Sequence, residues 1–322
     1  MLYLGNQQFD RLGIDWNALI DVIEDAVRIM QSGDYDQPLK PYLRYRNPRN
    51  RIIAMPAYVG GAVNTAGLKW VASFPGNLEK GLPRAHSLTV LNEAGTGKPL
   101  AVLNTARVSG VRTAAVSGAV LRRYAEVRPL SGLKVGIAGF GPIGQLHLQM
   151  LTAQLGDAVA EVALFDPRGI DIASVPEPIR GRTTVAEGWE SAYAGADIFV
   201  TCTVSEQGYI DQRPKGGALL LNVSLRDFTP AILDYTRAII VDDWDEVCRE
   251  GTDIERMHKE RQLSKADTIS LGEVVCDNAI SQLSLDEAVL FNPMGMAVFD
   301  IAIAAYYYEQ AVANKAGLLL PE

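Results

Sequence analysis

The run from Lys134 to Met150, K-V-G-I-A-G-F-G-P-I-G-Q-L-H-L-Q-M, constrains this chain more than any other. Val135 to Ala138 are uncharged and apolar, the pattern of a strand buried on both faces. Gly139, Gly141 and Gly144 follow in G-x-G-x-x-G spacing, and Leu146 to Leu155 has helical periodicity. Each glycine has its own task in such a unit. The first permits the tight turn, the second lets a pyrophosphate approach the backbone, and the third lets helix and strand pack closely. The helix N-terminus then offers unpaired N–H groups and a partial positive charge to the phosphates. The spacing alone is a weak signal, but here it has a context. A second apolar run, Val162 to Phe165, ends in Asp166, 22 residues after Gly144. That is where a carboxylate accepts hydrogen bonds from an adenosine ribose. Gly139, Phe140, Gly141, Pro142, Ile143, Gly144 and Asp166 are therefore candidate NAD contacts. Asp166 would repel a 2′-phosphate and favour NAD over NADP. Arg168, a further candidate contact, works the other way, since an arginine neutralises a phosphate.

Apolar runs at 134–138, 161–165, 197–203, 218–224 and 238–242 alternate with helical stretches. This predicts the α/β class, with a Rossmann-type doubly wound parallel sheet. Ligands bind such sheets at the carboxyl edge. V-T-C-T-V-S, from Val200 to Ser205, and L-N-V-S-L-R-D, from Leu221 to Asp227, bring Thr201, Thr203, Asn222, Ser224 and Asp227 to that edge. Thr201, Thr203 and Ser224 join the candidate cofactor contacts.

At 322 residues the chain is long for one core, and two domains are expected. The stretch Glu126 to Leu133, with Pro129 and Gly132, reads as the boundary. Residues 129–295 form the expected NAD-binding domain. Residues 1–128 form a mixed α+β substrate-binding and dimerisation domain, completed by 296–322. Within it, 16–31 reads as a helix behind the N-cap Asp15, with an apolar face of Leu19, Ile20, Ile23, Ala26, Val27 and Met30. The basic stretch 41–59 is strand-like, and strands are expected at 65–74, 87–91 and 98–103. Val108 to Tyr124 is an Ala-rich helix carrying Arg112, which its apolar neighbours predict to be half buried and paired. Ala297 to Ala313 is a long helix rich in alanine and tyrosine, crossing back to the first domain. Several strands and this apolar helix need cover, which predicts a homodimer.

The formal charge of −8 argues against bulk nucleic-acid or anionic-membrane binding. No apolar run reaches 18 residues, and Met1-Leu2-Tyr3 lacks a basic n-region, so neither a membrane span nor a signal peptide is expected. Cys202, Cys248 and Cys276 are sparse and form no C-x-x-C, which fits a reducing cytoplasm. Three histidines, His86, His147 and His258, make a histidine-rich metal site an unsuitable reading. His86 is expected in a loop and His147 in a structural role. Asp300 is expected to cap or pair near the last helix.

Several short runs carry a family likeness. They are M-P-A at 55–57, G-L-K at 67–69, S-G-V-R-T-A-A at 109–115, G-F-G-P-I-G at 139–144, L-N-V-S-L-R-D at 221–227 and G-M-A-V-F-D at 295–300. Together they resemble the ornithine cyclodeaminase/mu-crystallin family over essentially the whole chain. P-L-K-P-Y-L-R at 38–44, K-W-V-A-S-F-P-G-N at 69–77 and F-N-P-M-G-M-A-V-F-D-I at 291–301 resemble its diaminopropionate-forming branch. That branch serves siderophore and peptide-antibiotic biosynthesis. The resemblance implies NAD-dependent oxidation of N-(1-amino-1-carboxy-2-ethyl)-L-glutamate, then hydrolysis to L-2,3-diaminopropionate and 2-oxoglutarate. It also implies that Lys69 and Arg112 contact a substrate carboxylate and that Asp227 is the catalytic aspartate. Lys40 stands where the branch uses arginine. Trp70, Ser73 and Arg84 depart from the cyclodeaminase pattern.

The residue chemistry agrees. A secondary amine with three carboxylates needs several cations, and Lys40, Arg44, Lys69, Arg84 and Arg112 are candidates in the first domain. A guanidinium holds a carboxylate by a bidentate fork. The amine must be neutral before it forms an imine, so a base is required. Asp227 is the candidate, with Lys69 as the second catalytic group. A carboxylate among arginines is a weak base unless burial offsets them. Bland alternatives stand beside these roles: Lys69 as an edge-strand lysine reaching water, and Arg44 as one of a solvated run with Arg46 and Arg49. Two other functions also remain open. One is an ornithine or lysine cyclodeaminase or a ketimine reductase. The other is a non-catalytic binding protein like the crystallin branch.

Overall fold

The computed structural model describes residues 1–321. Two compact units emerge, one from Met1–Arg112 with the chain from Gly295 onward, the other from Thr113–Met294.

The first unit holds a mixed sheet. Its strands are β1 (Leu2–Leu4), β2 (Tyr35–Asp36), β3 (Tyr42–Leu43), β4 (Arg51–Val59), β5 (Thr65–Ser73), β6 (Ala85–Glu93) and β7 (Pro99–Leu103), with a C-terminal strand Leu318–Leu319 antiparallel to β1. Strands β4, β5, β6 and β7 run antiparallel in that order, and β1 joins β7 in parallel. Side chains alternate across a strand. One set, including Met55, Ala57, Val59, Lys69, Thr89 and Leu91, is buried. Two helices are closely associated with this sheet's core. Trp16–Ser32 is capped by Asp15, which accepts from the Ala18 N–H at 3.1 Å, and buries Leu19, Ile20, Ile23, Ala26 and Val27. Ala297–Ala313 contacts β4, β5 and β6 and is apolar nearly all round, as a helix enclosed by its neighbours must be. Its Tyr307 hydroxyl donates to the Gly13 carbonyl at 3.1 Å.

The sequence treats 41–59 as one strand-like stretch, but residues 44–50 interrupt it. Asn47 and Pro48 fall in the break, and the Arg49 N–H turns back to the Asn47 side chain. His86, expected in a loop, lies in β6, where it pairs with Ala72.

The second unit is an all-parallel sheet. Its strands are β8 (Leu133–Ala138), β9 (Val159–Phe165), β10 (Thr183–Val185), β11 (Ile198–Thr201), β12 (Leu219–Asn222), β13 (Ala238–Val241), β14 (Ile269–Ser270) and β15 (Val289–Asn292). The spatial order is β10-β9-β8-β11-β12-β15-β13-β14. The order reverses about β8, so the carboxyl ends of β8, β11 and β12 line the crevice of a doubly wound sheet. The helix Ala106–Val127 starts in the first unit and continues in the second beyond Arg112. There, the Tyr124 hydroxyl donates to the Gly217 carbonyl at 2.7 Å, and Ser117 Oγ lies 3.0 Å from His147 Nε2. Among the described residues no helix is long and apolar enough to cross a membrane.

Candidate active site

The cofactor turn follows from β8. Gly139, at the strand end, has φ 90°, a conformation that side chains resist. A Cβ there would lie 2.5 Å from the Cys202 backbone, and one on Gly144 would lie 2.2 Å from the Gly139 carbonyl oxygen. The helix begins at Pro142, four residues earlier than its apolar periodicity suggests, because proline at the first position needs no N–H partner. The first intrahelical bond is Gln145 N–H to the Gly141 carbonyl, 3.0 Å. The amides of Ile143 and Gly144 precede it and have no helical acceptor. Such a turn fits a pyrophosphate, so Gly139 to Gly144 are the residues that would hold one.

Asp166 stands at the end of β9, but its carboxylate is already engaged. It accepts from the Phe140 N–H at 2.9 Å, the Arg168 N–H at 3.0 Å, and Arg168 Nε and Nη2 at 3.1 Å each. Burial raises the Asp166 pKa, but these bonds and the Arg168 charge outweigh it and hold the carboxyl below its usual range. The carboxyl end of β9 is therefore an Asp166–Arg168 pair. Asp166 also braces the glycine turn through Phe140.

At the ends of β11 and β12 lies a hydroxyl-rich cluster. Asp227 is fully buried. Its carboxylate accepts from Thr203 Oγ1 at 2.5 Å and from Ser224 Oγ. Its backbone carbonyl accepts the N–H groups of Tyr209 and Ile210, both at 2.8 Å. Burial and the Asp227 charge push the Tyr209 phenol upward, so it stays protonated. Within its own unit Asp227 is thus held by hydroxyls. Arg226 beside it turns to the Glu250 carbonyl at 2.7 Å. Thr201 donates to Asn222 Oδ1 at 3.0 Å and lies 3.1 Å from Ser224 Oγ.

The first unit carries a buried charge cluster. Lys69 lies on β5, between β4 and β6, and is only 3% exposed. The edge-strand reading of Lys69 is thereby overturned. Its Nζ is 2.8 Å from Asp300 Oδ2 and 3.2 Å from Ser109 Oγ. Arg112 donates Nε to Asp300 Oδ1 at 2.7 Å and Nη2 to Oδ2 at 3.1 Å. One edge of the guanidinium fork is thus taken by a protein carboxylate. Gly295, at φ 81°, lies against the Arg112 guanidinium, and a Cβ there would come 2.4 Å from Nη1. Burial, together with the charges of Arg112 and Lys40, pushes Lys69 down from 10.5 to about 7 despite Asp300. Arg112 and Lys69 outweigh burial at Asp300 and keep that carboxyl low.

Lys40, Lys69 and Arg112 are thus buried cations of one neighbourhood. Arg44 is exposed, its guanidinium 4.7 Å from the Tyr42 ring centre. Arg84 is half buried in the loop before β6, where its carbonyl accepts the Phe74 N–H at 2.9 Å. Asp300, expected to cap or pair near the last helix, pairs with both Lys69 and Arg112. The available signal was an acid inside the apolar run A-V-F-D-I-A, since a buried carboxylate requires a cation.

Comparison with known proteins bears on this arrangement. The family model for the ornithine cyclodeaminase/mu-crystallin family matches residues 11–315. The N-((2S)-2-amino-2-carboxyethyl)-L-glutamate dehydrogenase of Staphylococcus aureus is 32% identical, over 99% of this chain and 98% of that protein. An archaeal alanine dehydrogenase dimer with bound NAD superposes with a TM-score of 0.83 at 26% identity, over 100% of this chain and 99% of the other. The Delta(1)-pyrroline-2-carboxylate reductase of Thermococcus litoralis, in complex with NADH and L-proline, shares the fold. Its TM-score is 0.88 at 22% identity, over 99% and 100% of the two chains. With its glycine turn, its hydroxyl-held aspartate and a family match spanning both units, the chain belongs to the ornithine cyclodeaminase/mu-crystallin family.

Proposed function

We propose that this protein oxidises N-(1-amino-1-carboxy-2-ethyl)-L-glutamate with NAD and hydrolyses the product to L-2,3-diaminopropionate and 2-oxoglutarate. It is an NAD-dependent oxidoreductase of amino-acid-derived substrates, as its relatives are. The narrower reading rests above all on Lys69 and Arg112 sharing the single carboxylate of Asp300. Two buried cations on one anion favour a further carboxylate, and the proposed amine carries three. The staphylococcal relative is named for the same amine, which supports the reading independently. On this reading the product supplies siderophore or peptide-antibiotic assembly.

Bound NAD supplies the acceptor for the hydride of the glutamyl Cα. The rest falls to side chains. Arg112 and Lys69 orient a substrate carboxylate, with Lys40, Arg44 and Arg84 as further cations for the other two. The amine loses its proton to Asp227 before its lone pair forms the imine. Lys69, with its pKa near 7, carries or releases a proton at Nζ at neutral pH. Water then adds to the imine carbon and the carbon–nitrogen bond breaks, leaving the keto acid and the diamino acid.

The discriminating experiment supplies NAD and this amine, follows NADH absorbance and identifies products. NADH, 2-oxoglutarate and 2,3-diaminopropionate should appear in equal amounts. Cyclic imino acid from ornithine or lysine without net NADH would instead make it a cyclodeaminase. NADH consumption with a cyclic ketimine would make it a reductase. Nucleotide binding without turnover of any of these would leave a crystallin-like binder.

The reading includes a homodimer. The face of β4, β5 and β6 opposite the buried set carries Ala54, Trp70 and Leu88 in one cross-strand row, and Pro56, Leu68 and Val90 in the next. All are at least partly exposed. Contiguous apolar surface of this kind marks an interaction site.

A further inference from the structure

The loop that carries Asp227 is held in an unfavourable backbone conformation. Leu225 has φ 64°, in the left-handed region that a Leu side chain seldom enters. Such a conformation persists only where its surroundings over-determine it. Here one residue does much of that. Asp253, the first residue of the helix Asp253–Arg261, is fully buried. Its N–H donates to the Leu225 carbonyl at 2.8 Å. Its Oδ2 accepts three bonds: from the N–H of Asp227 at 3.0 Å, the N–H of Phe228 at 3.0 Å and Asn222 Nδ2 at 2.9 Å. The same Asn222 amide also donates to Asn292 Oδ1 at 2.8 Å. One carboxylate oxygen therefore ties the end of β12, the loop and a helix start together.

The helix start is anchored separately. Thr252 caps it by accepting the Glu255 N–H at 3.1 Å, and its hydroxyl donates to the Val247 carbonyl. Asp253 is thus not needed as the cap. Its other oxygen, Oδ1, is buried with no hydrogen-bond partner, so the carboxylate's hydrogen bonds all run from Oδ2 towards the loop and the strand end. Burial pushes the carboxyl up to about 6 against the pull of these donors. A buried carboxylate is costly, and its donors are what it returns.

We propose that Asp253 is a positioning residue, fixing the backbone of Asp227 so that its carboxylate meets Thr203 and Ser224 in the orientation used for proton transfer. This rests on the reading of Asp227 as the proton-handling group. Asp253 itself acts through the loop and touches neither substrate nor cofactor.

The test uses the full-length enzyme with NAD and the proposed amine, and titrates NADH binding by fluorescence. Asp253→Leu removes the acceptor at similar size. It should lower kcat by about 10²-fold, the scale of a misplaced catalytic group, with KM and the NADH Kd changed less than about threefold. Asp253→Asn can still offer an oxygen to the three donors and should recover most of that loss. The double variant Asp227→Asn/Asp253→Leu should be no slower than Asp227→Asn alone, since both act through one group. If Asp253→Leu does not fold, Asp253→Glu keeps the charge but displaces the oxygen, and should lose at least about tenfold in kcat. Near-normal kcat in Asp253→Leu, or in Asp253→Glu where the leucine variant does not fold, or losses that add in the double variant, would overturn the proposal alone. Near-normal turnover in Asp227→Asn would remove the underlying reading, and this proposal with it.

Discussion

Asp227 and Lys69 are the two residues whose roles separate most cleanly by measurement. Asp227→Asn keeps the shape and removes the base. Turnover should fall about 10²–10⁴-fold, with NADH binding unchanged by fluorescence titration. Lys69 reports through pH. Its pKa in the fold, about 7, lies below its ordinary 10.5. Below pH 7 both folded and unfolded chains carry the charge, and the fold bears the full cost of burying it. Between 7 and 10.5 the unfolded chain binds the extra proton, so stability from this group rises with pH. Replacing Lys69 by Met should therefore remove part of the gain in Tm between pH 7 and 9; an unchanged gain would exclude the perturbed lysine. Arg112→Lys is informative for a different reason. A lysine cannot reproduce both bonds to Asp300, and breaking a buried pair costs about 3–5 kcal/mol. Calorimetry should show a lower Tm, and kcat should fall along with a rise in KM. A rise in KM alone would mean that Asp300 is indifferent to the change. The sequence signalled Lys69 and Arg112 by their apolar neighbours. It did not show that they share Asp300, because β5 and the last helix meet only through tertiary packing. Asp253 gave no signal beyond T-D-I-E, which reads as a helix start.

At the scale of elements, the glycine turn was legible because each of its constraints is local: a buried strand, three spaced glycines and a helix behind them. The hydroxyl-rich edge was legible for a similar reason, since strand ends in a parallel sheet face one way. Strand lengths were less so. Apolar residues continue past the hydrogen-bonded part of β11 and β12, and the sequence extends both strands into loops that bend around Asp227. The state of Asp166 was legible only in part. Its position after β9 is set by the chain, whereas the Arg168 fork across its carboxylate is a choice of rotamer. That fork bears on the cofactor. Four donors occupy the carboxylate, so a ribose diol reaching it must displace Arg168, whose side chain is 63% exposed and held on one side. Asp166→Ala should therefore narrow the KM gap between NAD and NADP, by removing the negative charge and releasing the guanidinium for a 2′-phosphate. It should also weaken both cofactors somewhat, because the Phe140 N–H loses its acceptor. Wild-type enzyme preferring NADP in paired initial-rate assays would contradict this account of the pair.

At the scale of the whole molecule, the expected boundary near residue 128 and the compact units differ for one physical reason. A helix can belong to two cores, and Ala106–Val127 does: Ser109 and Arg112 serve the charge cluster, while Ser117 and Tyr124 bond within the second unit. Low-complexity or turn residues mark a linker in sequence, but a continuous helix leaves no mark where its allegiance changes. The association of two copies is the remaining question at this scale, and Trp70 is the residue with which to ask it. Trp70 is 40% exposed and lies on the open face of β5, with Ala54 and Leu88 beside it and Leu68 two residues away on the same face. Its neighbour Lys69 points to the buried face, so a change at 70 leaves the charge cluster's side of the sheet intact. A glutamate there faces water in a monomer at little cost. In a dimer closed over this face it would be buried without a cation, a penalty of several kcal/mol per copy that an ordinary interface does not offset. Sedimentation at micromolar concentration should therefore give a dimer for the wild type and a monomer for Trp70→Glu, with the Tm of the variant also becoming independent of concentration. A wild-type monomer would remove the dimer altogether; a dimeric Trp70→Glu would move the interface to another surface.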